Sequence, residues 1–478
     1  MGRYLVHTFG CQMNAHDSDR MEEVLRAHGW MSAESVEDAD LVVLNTCSVR
    51  EKAEQKLRSE VGKLAHLKER RSRGLVLAVA GCVAQQEGEK LLSRVPHLDL
   101  VIGPDNLAEL PMLVADQMAG APPRARTVFD LDAPRFLSAA PEPGTAPVSA
   151  FVTTMKGCDE RCSFCIVPYT RGPERYRPSR EIIDEVARWV DSGAREVTLL
   201  GQTVDSYRDP SLPPPASDDP DESQFPALLR AIAATVPGLK RLRYTSPHPR
   251  HATAALAAAH AELDVLARHI HMPVQSGSDR MLKRMIRRYT RTEYTERVRR
   301  LLATRADMTI STDVIVGFPG ETEADFEATL DLVRDIGFTG LFGFKYSPRP
   351  FTPALKLKDD VSEEQKSERL ARLFEVAEAQ TRAHLATLVG TRQEVLVEGP
   401  GKMPGAWEGR TARNEIVHVD GQLAAGKALA GELVEVEITQ AFKHSLAGQP
   451  TPNALELLPV ASTTPTRRGR RRALPLVL

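Results

Sequence analysis

Gly157-Cys158-Asp159-Glu160-Arg161-Cys162-Ser163-Phe164-Cys165 sets three thiols in a Cys-x3-Cys-x2-Cys run, just past the apolar segment Ala150 to Met155. Soft thiolate ligands suit iron–sulfur clusters. Three of them can hold three irons of a 4Fe–4S cluster and leave the fourth iron without a protein ligand. An open iron can bind a substrate, which reads as catalysis more than electron transfer. The alternative is a structural zinc site, which would close its tetrahedron with a fourth ligand.

Around this run, six apolar stretches recur at regular spacing: Phe151–Met155, Val197–Leu200, Leu242–Thr245, His269–Val274, Thr309–Val316 and Gly340–Tyr346. Helical patterns such as Arg180–Ser192 and Glu323–Ile336 separate them. Strand–helix alternation predicts a parallel barrel or partial barrel with its working residues at the C-terminal strand ends. Gly201-Gln202, Ser246-Pro247-His248-Pro249, Pro273 to Ser278 and Val316 to Glu321 fall at those ends. Glycine there permits close backbone approach to a ligand, although Gly and Pro also simply end strands.

The first 130 residues repeat the alternation. Strands are predicted at Tyr4–Phe9, Asp40–Asn45, Leu75–Ala80 and Leu98–Ile102, with helices over Asp17–His28 and Val49–Arg73. Cys11, Cys47 and Cys82 each stand just past the end of a strand. In a parallel sheet those ends share one edge, where such folds place ligands, so three distant thiols would converge into a second three-cysteine site. Inert buried thiols are the alternative.

The Cys158–Cys165 run, including Phe164, resembles the signature of radical S-adenosylmethionine (SAM) enzymes. The segments Thr8-Phe9-Gly10-Cys11-Gln12-Met13-Asn14, Leu44-Asn45-Thr46-Cys47-Ser48-Val49-Arg50 and Ala80-Gly81-Cys82-Val83-Ala84-Gln85 resemble the methylthiotransferases within that superfamily. Gly-Cys-Gln-Met-Asn looks most like the branch that modifies N6-isopentenyl(dimethylallyl)adenosine in tRNA. The branch acting on threonylcarbamoyladenosine tends to read Gly-Cys-Lys-x-Asn, and the ribosomal-protein branch Gly-Cys-x-Lys-Asn. The resemblance implies two 4Fe–4S clusters, a SAM-binding one on Cys158, Cys162 and Cys165 and an auxiliary one on Cys11, Cys47 and Cys82. It also implies SAM contacts at Phe164, Gly201, Gln202, Ser246, Gln275, Asp313, Gly317 and Pro319. The implied reaction places a methylthio group at C2 of the modified adenosine at tRNA position 37. SAM serves both as radical source and as methyl donor. A methylthiotransferase acting on threonylcarbamoyladenosine or on a ribosomal protein, and a non-catalytic Fe–S RNA sensor, are the competing readings.

Basic residues gather between Arg280 and Arg305, with Arg287, Arg288 and Arg291 among them, and again around Arg171. Both groups read as phosphate-contacting faces or as solvated charge. Beyond Gly390 the pattern shifts to short strands, Gln393–Glu398, Ala406–Arg410, Glu415–Val419 and Leu433–Thr439, which predicts a small antiparallel β-barrel. Gly409 to Asn414 resembles the RNA-binding TRAM domain that ends methylthiotransferases. Trp407, Arg410, Arg413 and Lys443 are its candidate RNA contacts. The expected organisation is therefore α/β throughout its first two parts. Residues 1–131 form an N-terminal parallel α/β domain and 132–149 a Pro- and Ala-rich linker. Residues 150–386 form a partial (β/α)6 barrel, 387–455 a TRAM-like barrel, and 456–478 a basic tail read as disordered. Within it, Asp209 to Phe225 reads as a surface insertion. Phe351 stands where the family usually has glycine.

A chain of 478 residues with 42% hydrophobic and 26% charged residues can build several cores. Its formal net charge of −2 argues against a uniformly basic nucleic-acid binder. No stretch approaches the roughly 18 apolar residues of a membrane span, and the first residues lack a signal-peptide core. A cytoplasmic monomer is expected. Its partners would be the tRNA anticodon stem-loop and an electron donor such as a flavodoxin or ferredoxin, with no membrane. Six cysteines in such a chain are not a disulfide framework.

Overall fold

Unbroken apolar runs such as Leu41 to Leu44 and Val76 to Ala80 leave no polar face for water, so they belong in a sheet covered on both sides. The computed structural model places them there. It describes residues 2–460 except 49–50, 71–73, 133, 142, 145, 216, 403–404, 422 and 424–425, and only the backbone of 51–56 and 58. The basic tail from 461 onward and the Val49-Arg50 end of the second cysteine segment lie outside the described residues.

The N-terminal sheet has six parallel strands in the order Met31–Ser32, Arg3–Phe9, Leu41–Thr46, Val76–Gly81, Leu100–Ile102 and Arg124–Arg126. Separate apolar cores cover its two faces, one around Val42, Leu44 and Val79 and the other around Met21, Leu41 and Val43. The two outermost strands were not anticipated; they are short and not fully buried, so no apolar run announces them. The first helix spans Gln12–Ala27 and so begins five residues earlier than its apolar pattern indicated. Cys11 caps it, in a reciprocal arrangement with Asn14.

Six parallel strands follow in chain order: Ser149–Thr153, Glu196–Leu200, Arg241–Tyr244, His269–His271, Thr309–Val316 and Gly340–Lys345. They form two three-stranded sheets. The step between the third and fourth strands is closed by a parallel bridge of Leu242 to Leu266. The result is an open barrel wrapped by helices, with one large core of buried residues between strands and helices. The 209–225 insertion is held down at both ends. Asp209 accepts the Ser179 N–H at the start of the helix Ser179–Asp191, and Asp221 takes both Arg250 and Arg297.

The helix Glu363–Thr387 leads to a closed barrel of Arg392–Pro400, Ala406–Thr411, Ile416–Asp420, Leu446–Pro450 and Leu433–Ala441. The strand Leu446–Pro450 was unforeseen, since Gly448 and two prolines mask it. It pairs in parallel with Ile416–Asp420, whereas every other pairing of the barrel is antiparallel. The barrel docks on the N-terminal strand ends of the open barrel. Arg241 donates to the Arg410 carbonyl at 3.0 Å, Arg243 to the Thr411 carbonyl at 2.9 Å, and the Arg268 N–H to the Ala412 carbonyl at 3.0 Å.

Glu415 anchors this junction, 2.8 Å from His384 Nε2 and 3.0 Å from Arg413 Nε. Burial raises its carboxyl, but the His384 hydrogen bond and the Arg413 charge outweigh that and hold it at about 2. A depressed carboxyl adds stability above its unfolded value, which is lost as pH falls through the folded one. Glu415→Gln should therefore cost on the order of 2–3 kcal/mol at pH 7. In urea melts followed by circular dichroism, the gap to the parent chain should close as pH drops toward 2. An equal gap at pH 7 and pH 3 would rule out the charge as its source.

Candidate active site

Register brings the first thiol set together. Phe9 pairs with Thr46 and Thr46 with Gly81, so the chain leaves three adjacent parallel strands at one level. Cys47 and Cys82 follow immediately, and Cys11 follows one residue after Gly10. Asn14 and Asn45 brace the edge. Asn14 Oδ1 accepts from both the N–H and the thiol of Cys11 at 3.4 Å, and the two amides bond to each other at 3.2 Å. The space is tight: a Cβ at Gly10 would lie 2.6 Å from Cys47 Cβ, and one at Gly81, at φ +92°, would lie 2.6 Å from the Thr46 carbonyl oxygen. Cys11 is half-exposed while Cys47 and Cys82 are buried. A hydrogen bond from Cys47 lowers the Cys11 thiol to about 6, against the effect of burial. Burial pushes Cys82 up.

The second set lies on the loop bracketed by a two-stranded ribbon, Met155–Lys156 against Arg175–Tyr176. Gly157 has φ +80°, and a Cβ there would meet the Pro173 carbonyl oxygen at 1.9 Å, so only glycine fits. The loop is held from several directions. Cys158 N–H bonds the Gly172 carbonyl at 3.1 Å, Ser163 N–H the Met285 carbonyl at 2.9 Å, and Ala354 N–H the Ser163 carbonyl at 2.8 Å. Thr203 Oγ1 lies 2.9 Å from Cys158 Sγ, and Arg287 donates to Cys162 Sγ at 3.3 Å. Burial raises Cys158 well above the ordinary thiol range and Cys165 to about 12.

Each set offers three thiols, and among the described residues no three Cys, His, Asp or Glu side chains converge tightly enough to hold a single ion. A cluster asks for a different geometry, because each thiolate binds its own iron and the sulfurs stand apart around a cube. The donor chemistry, three soft ligands per set on glycine-framed loops, fits a 4Fe–4S cluster at each.

The residues expected to contact SAM gather on the same rim. Gly201 and Gln202 follow the second strand of the open barrel, and Gln202 Oε1 accepts the Gly157 N–H at 2.5 Å. A Cβ at Gly201 would press on Met155 at 2.7 Å. Ser246 and Gln275 follow the third and fourth strands, both with positive φ, +60° and +73°. Asp313 lies within the fifth strand and pairs with His271 at 3.2 Å. Gly317 and Pro319 come next; Gly317 N–H bonds Glu321 and the Pro319 carbonyl takes Arg284. Phe164 packs beside Met281, Met285, Phe318 and Tyr346.

The expected RNA contacts scatter. Arg171 is buried and donates to Asp17 at 2.6 Å and Cys82 at 3.4 Å; Arg287 is buried against Cys162. Guanidiniums so committed offer no phosphate-binding surface, which corrects the reading of these two. Arg410 and Arg413 sit at the junction with the open barrel, on the rim opposite the thiols, where Arg410 pairs with Glu398 and Arg413 with Glu415. They do not form a surface shared with the thiol sites. Trp407 packs against the small barrel's core. Arg288 is exposed. Arg291 pairs with Asp335, and Lys443 with Glu378.

Several site residues escaped sequence reasoning. Glu160, between two of the cysteines, bonds His251 at 3.2 Å, and Asp205 Oδ1 accepts the His248 N–H at 2.7 Å. Burial raises Asp205 to about 7. Asp205 follows Gly201-Gln202 by three residues, so the strand-end signal that flagged those two could have been read further. The partners of Arg171 and Arg287 are 154 and 125 residues away and leave no local signal.

Comparison with known proteins matches residues 3–103 to "Uncharacterized protein family UPF0004", 152–333 to the Radical SAM superfamily and 386–451 to the TRAM domain. A tRNA-2-methylthio-N(6)-dimethylallyladenosine synthase of Sorangium cellulosum is 62% identical over 100% of this chain and 99% of its own length. The protein of that name from Leptothrix cholodnii is 45% identical over 93% of each chain. Among solved structures, the radical SAM methyltransferase TsrM of Kitasatospora setae shares the fold at a TM-score of 0.50 and 14% identity, over 80% of this chain and 89% of that one.

Cys11 and Cys165 are both half-exposed, yet their thiols are shifted in opposite directions. In the metal-free chain at pH 7, iodoacetamide should label Cys11 first. The rate should fall as pH drops, following the thiolate fraction. Peptide mass spectrometry reads this out; Cys165 labelled as fast as Cys11 would contradict it.

Proposed function

Because the chain belongs to the tRNA-2-methylthio-N(6)-dimethylallyladenosine synthase family of radical SAM enzymes, we propose that it replaces the C2 hydrogen of N6-dimethylallyladenosine, next to the anticodon of tRNA, with a methylthio group. The observation that carries this reading is the link between the two three-thiol parts through Arg171, which stands six residues after Cys165 and donates to Cys82. Such a pair of sites answers the chemical problem. An unactivated aromatic C–H yields to radical chemistry rather than to acid–base chemistry, and the incoming sulfur needs its own holder.

Cys158, Cys162 and Cys165 would ligate the SAM-binding 4Fe–4S cluster, and Cys11, Cys47 and Cys82 the auxiliary one. When bound, the clusters and SAM supply one-electron cleavage of SAM, a sulfur source and a methyl donor. The chain's own residues do the positioning. Gln202 and Gly157 fix the entrance of the Cys158 loop, and Asn14 and Asn45 fix the Cys11 edge. Gly201, Ser246, Gln275, Asp313, Gly317 and Pro319 line the rim where SAM would lie, with Phe164 beneath the loop. Arg288, exposed beside that rim, is the candidate phosphate contact that remains from the central basic group. The partners are the anticodon stem-loop and a low-potential electron donor of the flavodoxin or ferredoxin kind. The chain acts in the cytoplasm as a monomer of three functional parts, about 1–131, 150–386 and 387–455. Among the described residues no helix is long and apolar enough to cross a membrane.

The test is an anaerobic reaction of the reconstituted protein with SAM and dithionite, read by nucleoside mass spectrometry. Three tRNAs are compared, carrying N6-dimethylallyladenosine, threonylcarbamoyladenosine or unmodified adenosine. A methylthio gain on the first alone is expected; a gain only on the second would replace the proposed substrate. Alanine at Cys158, Cys162 or Cys165 should abolish 5′-deoxyadenosine formation. Cys47→Ala should keep SAM cleavage and lose the methylthio product, and a retained product would remove the auxiliary role of that set.

A further inference from the structure

We infer that Arg287 and Arg171 separate the reduction potentials of the two centres, so that the electron from an external donor settles first on the Cys158/Cys162/Cys165 centre. This rests on the cluster assignment above. Each thiol set has one buried arginine donating an N–H to one of its sulfurs, Arg287 to Cys162 at 3.3 Å and Arg171 to Cys82 at 3.4 Å. Hydrogen bonds to cluster sulfurs and local net charge are the protein's chief means of tuning such a potential.

The two arginines differ in what balances their charge. Arg287 donates two further N–H groups, to the Tyr289 hydroxyl at 2.8 Å and the Pro273 carbonyl at 2.7 Å, both neutral, and lies over the Tyr289 ring. Among the described residues no carboxylate pairs with it. Arg171 is ion-paired with Asp17 at 2.6 Å. Burial raises the Asp17 carboxyl, but the Arg171 charge and hydrogen bonds hold it at about 2, so it is ionised at neutral pH. The carboxylate of the Cys158 loop, Glu160, is taken by His251 at 3.2 Å, so Cys162 meets a guanidinium with no carboxylate of its own and Cys82 one that is paired.

One-electron reduction takes an electron from a low-potential donor and adds one negative charge to the cluster. No proton moves, since a guanidinium stays charged. In a buried, low-dielectric site an unbalanced cation stabilises the added charge more than a compensated pair does. Reduction is thereby favoured at the centre where SAM is to be cleaved, and the centre that holds sulfur is spared. Arg287 acts through Cys162, so it is a positioning and tuning residue.

The test is a potentiometric titration with dithionite, followed by electron paramagnetic resonance, on the anaerobically reconstituted full chain. Cys47→Ala and Cys162→Ala backgrounds isolate the two signals. Arg287→Gln should move the midpoint of the Cys158 centre negative by about 59 mV or more, a tenfold change for one electron, with the other midpoint unmoved. Arg287→Lys, which keeps the charge, should move it less. Asp17→Asn should move the midpoint of the Cys11 centre positive by exposing the Arg171 charge, and this arm decides the matter should Arg287→Gln fail to hold its cluster. Full iron content with an unmoved midpoint in Arg287→Gln would overturn the inference alone. Two intact cluster signals in Cys162→Ala would overturn the ligand assignment, and the inference with it.

Discussion

The buried ion pair of Arg171 and Asp17 ties the two halves of the site together, and the rest of the arrangement depends on it. Arg171 lies on the short segment that leaves Cys165, and its guanidinium reaches the N-terminal part at Asp17 in the first helix and at Cys82. Two further arginines on the same strand-like exit repeat the pattern. Arg175 pairs with Asp105, which also takes Lys156, and Arg177 pairs with Glu185, which also meets Arg20. Removing one partner of such a buried pair strands the other charge and typically costs about 3–5 kcal/mol. The junction tolerates few other alignments, because each guanidinium must find its carboxylate. Arg171 itself links the segment after Cys165 to Cys82 of the other set.

A second constraint is shared by both sites: parallel strands end together. In the N-terminal sheet, one register carries Cys47 and Cys82 to a common edge and brings Cys11 beside them. In the open barrel, the strand ends gather Gly201, Ser246, Gln275 and Gly317 around the cysteine loop. The backbone departs from comfortable geometry mainly there. Arg161, Ser246, Gln275, Ile286, Arg288 and Phe351 all have positive φ without being glycine. Such residues cost on the order of 1–3 kcal/mol each and persist where surrounding structure over-determines them. Phe351 is among them and stays exposed, with its ring 6.0 Å from Tyr169 just beyond Cys165.

The opposite rim of the open barrel has a different duty. Arg241 and Arg243 donate side-chain N–H groups, and Arg268 its backbone N–H, to the carbonyls of residues 410–412 of the small barrel. That face fixes the relative position of two parts, in keeping with a division in which N-terminal strand ends carry stability and C-terminal ends carry chemistry. The Arg410 and Arg413 side chains pair with Glu398 and Glu415 of their own barrel, beside the backbone carbonyls that form this joint. A cluster of arginines near a turn has the same composition whether it meets phosphate, water or another domain.

By itself the sequence determined the spacing of three thiols, the position of three more at strand ends, the alternation that makes both sheets parallel and the small barrel beyond. These are local: ligand spacing, apolar runs and turn residues act within a dozen positions. Only the tertiary structure decided which charges face water. Arg171 and Arg287 sit in runs of basic residues that resemble their neighbours Arg180 and Arg288, yet the first two are buried on cysteine sulfurs and the last two are exposed. Likewise Glu160, His251 and Asp205 meet only because three strand ends converge. The physical reason is that a long charged side chain carries no periodic signature of its own. Its partner lies wherever the fold brings a carboxylate, a carbonyl or a thiolate within reach, here more than a hundred residues along the chain.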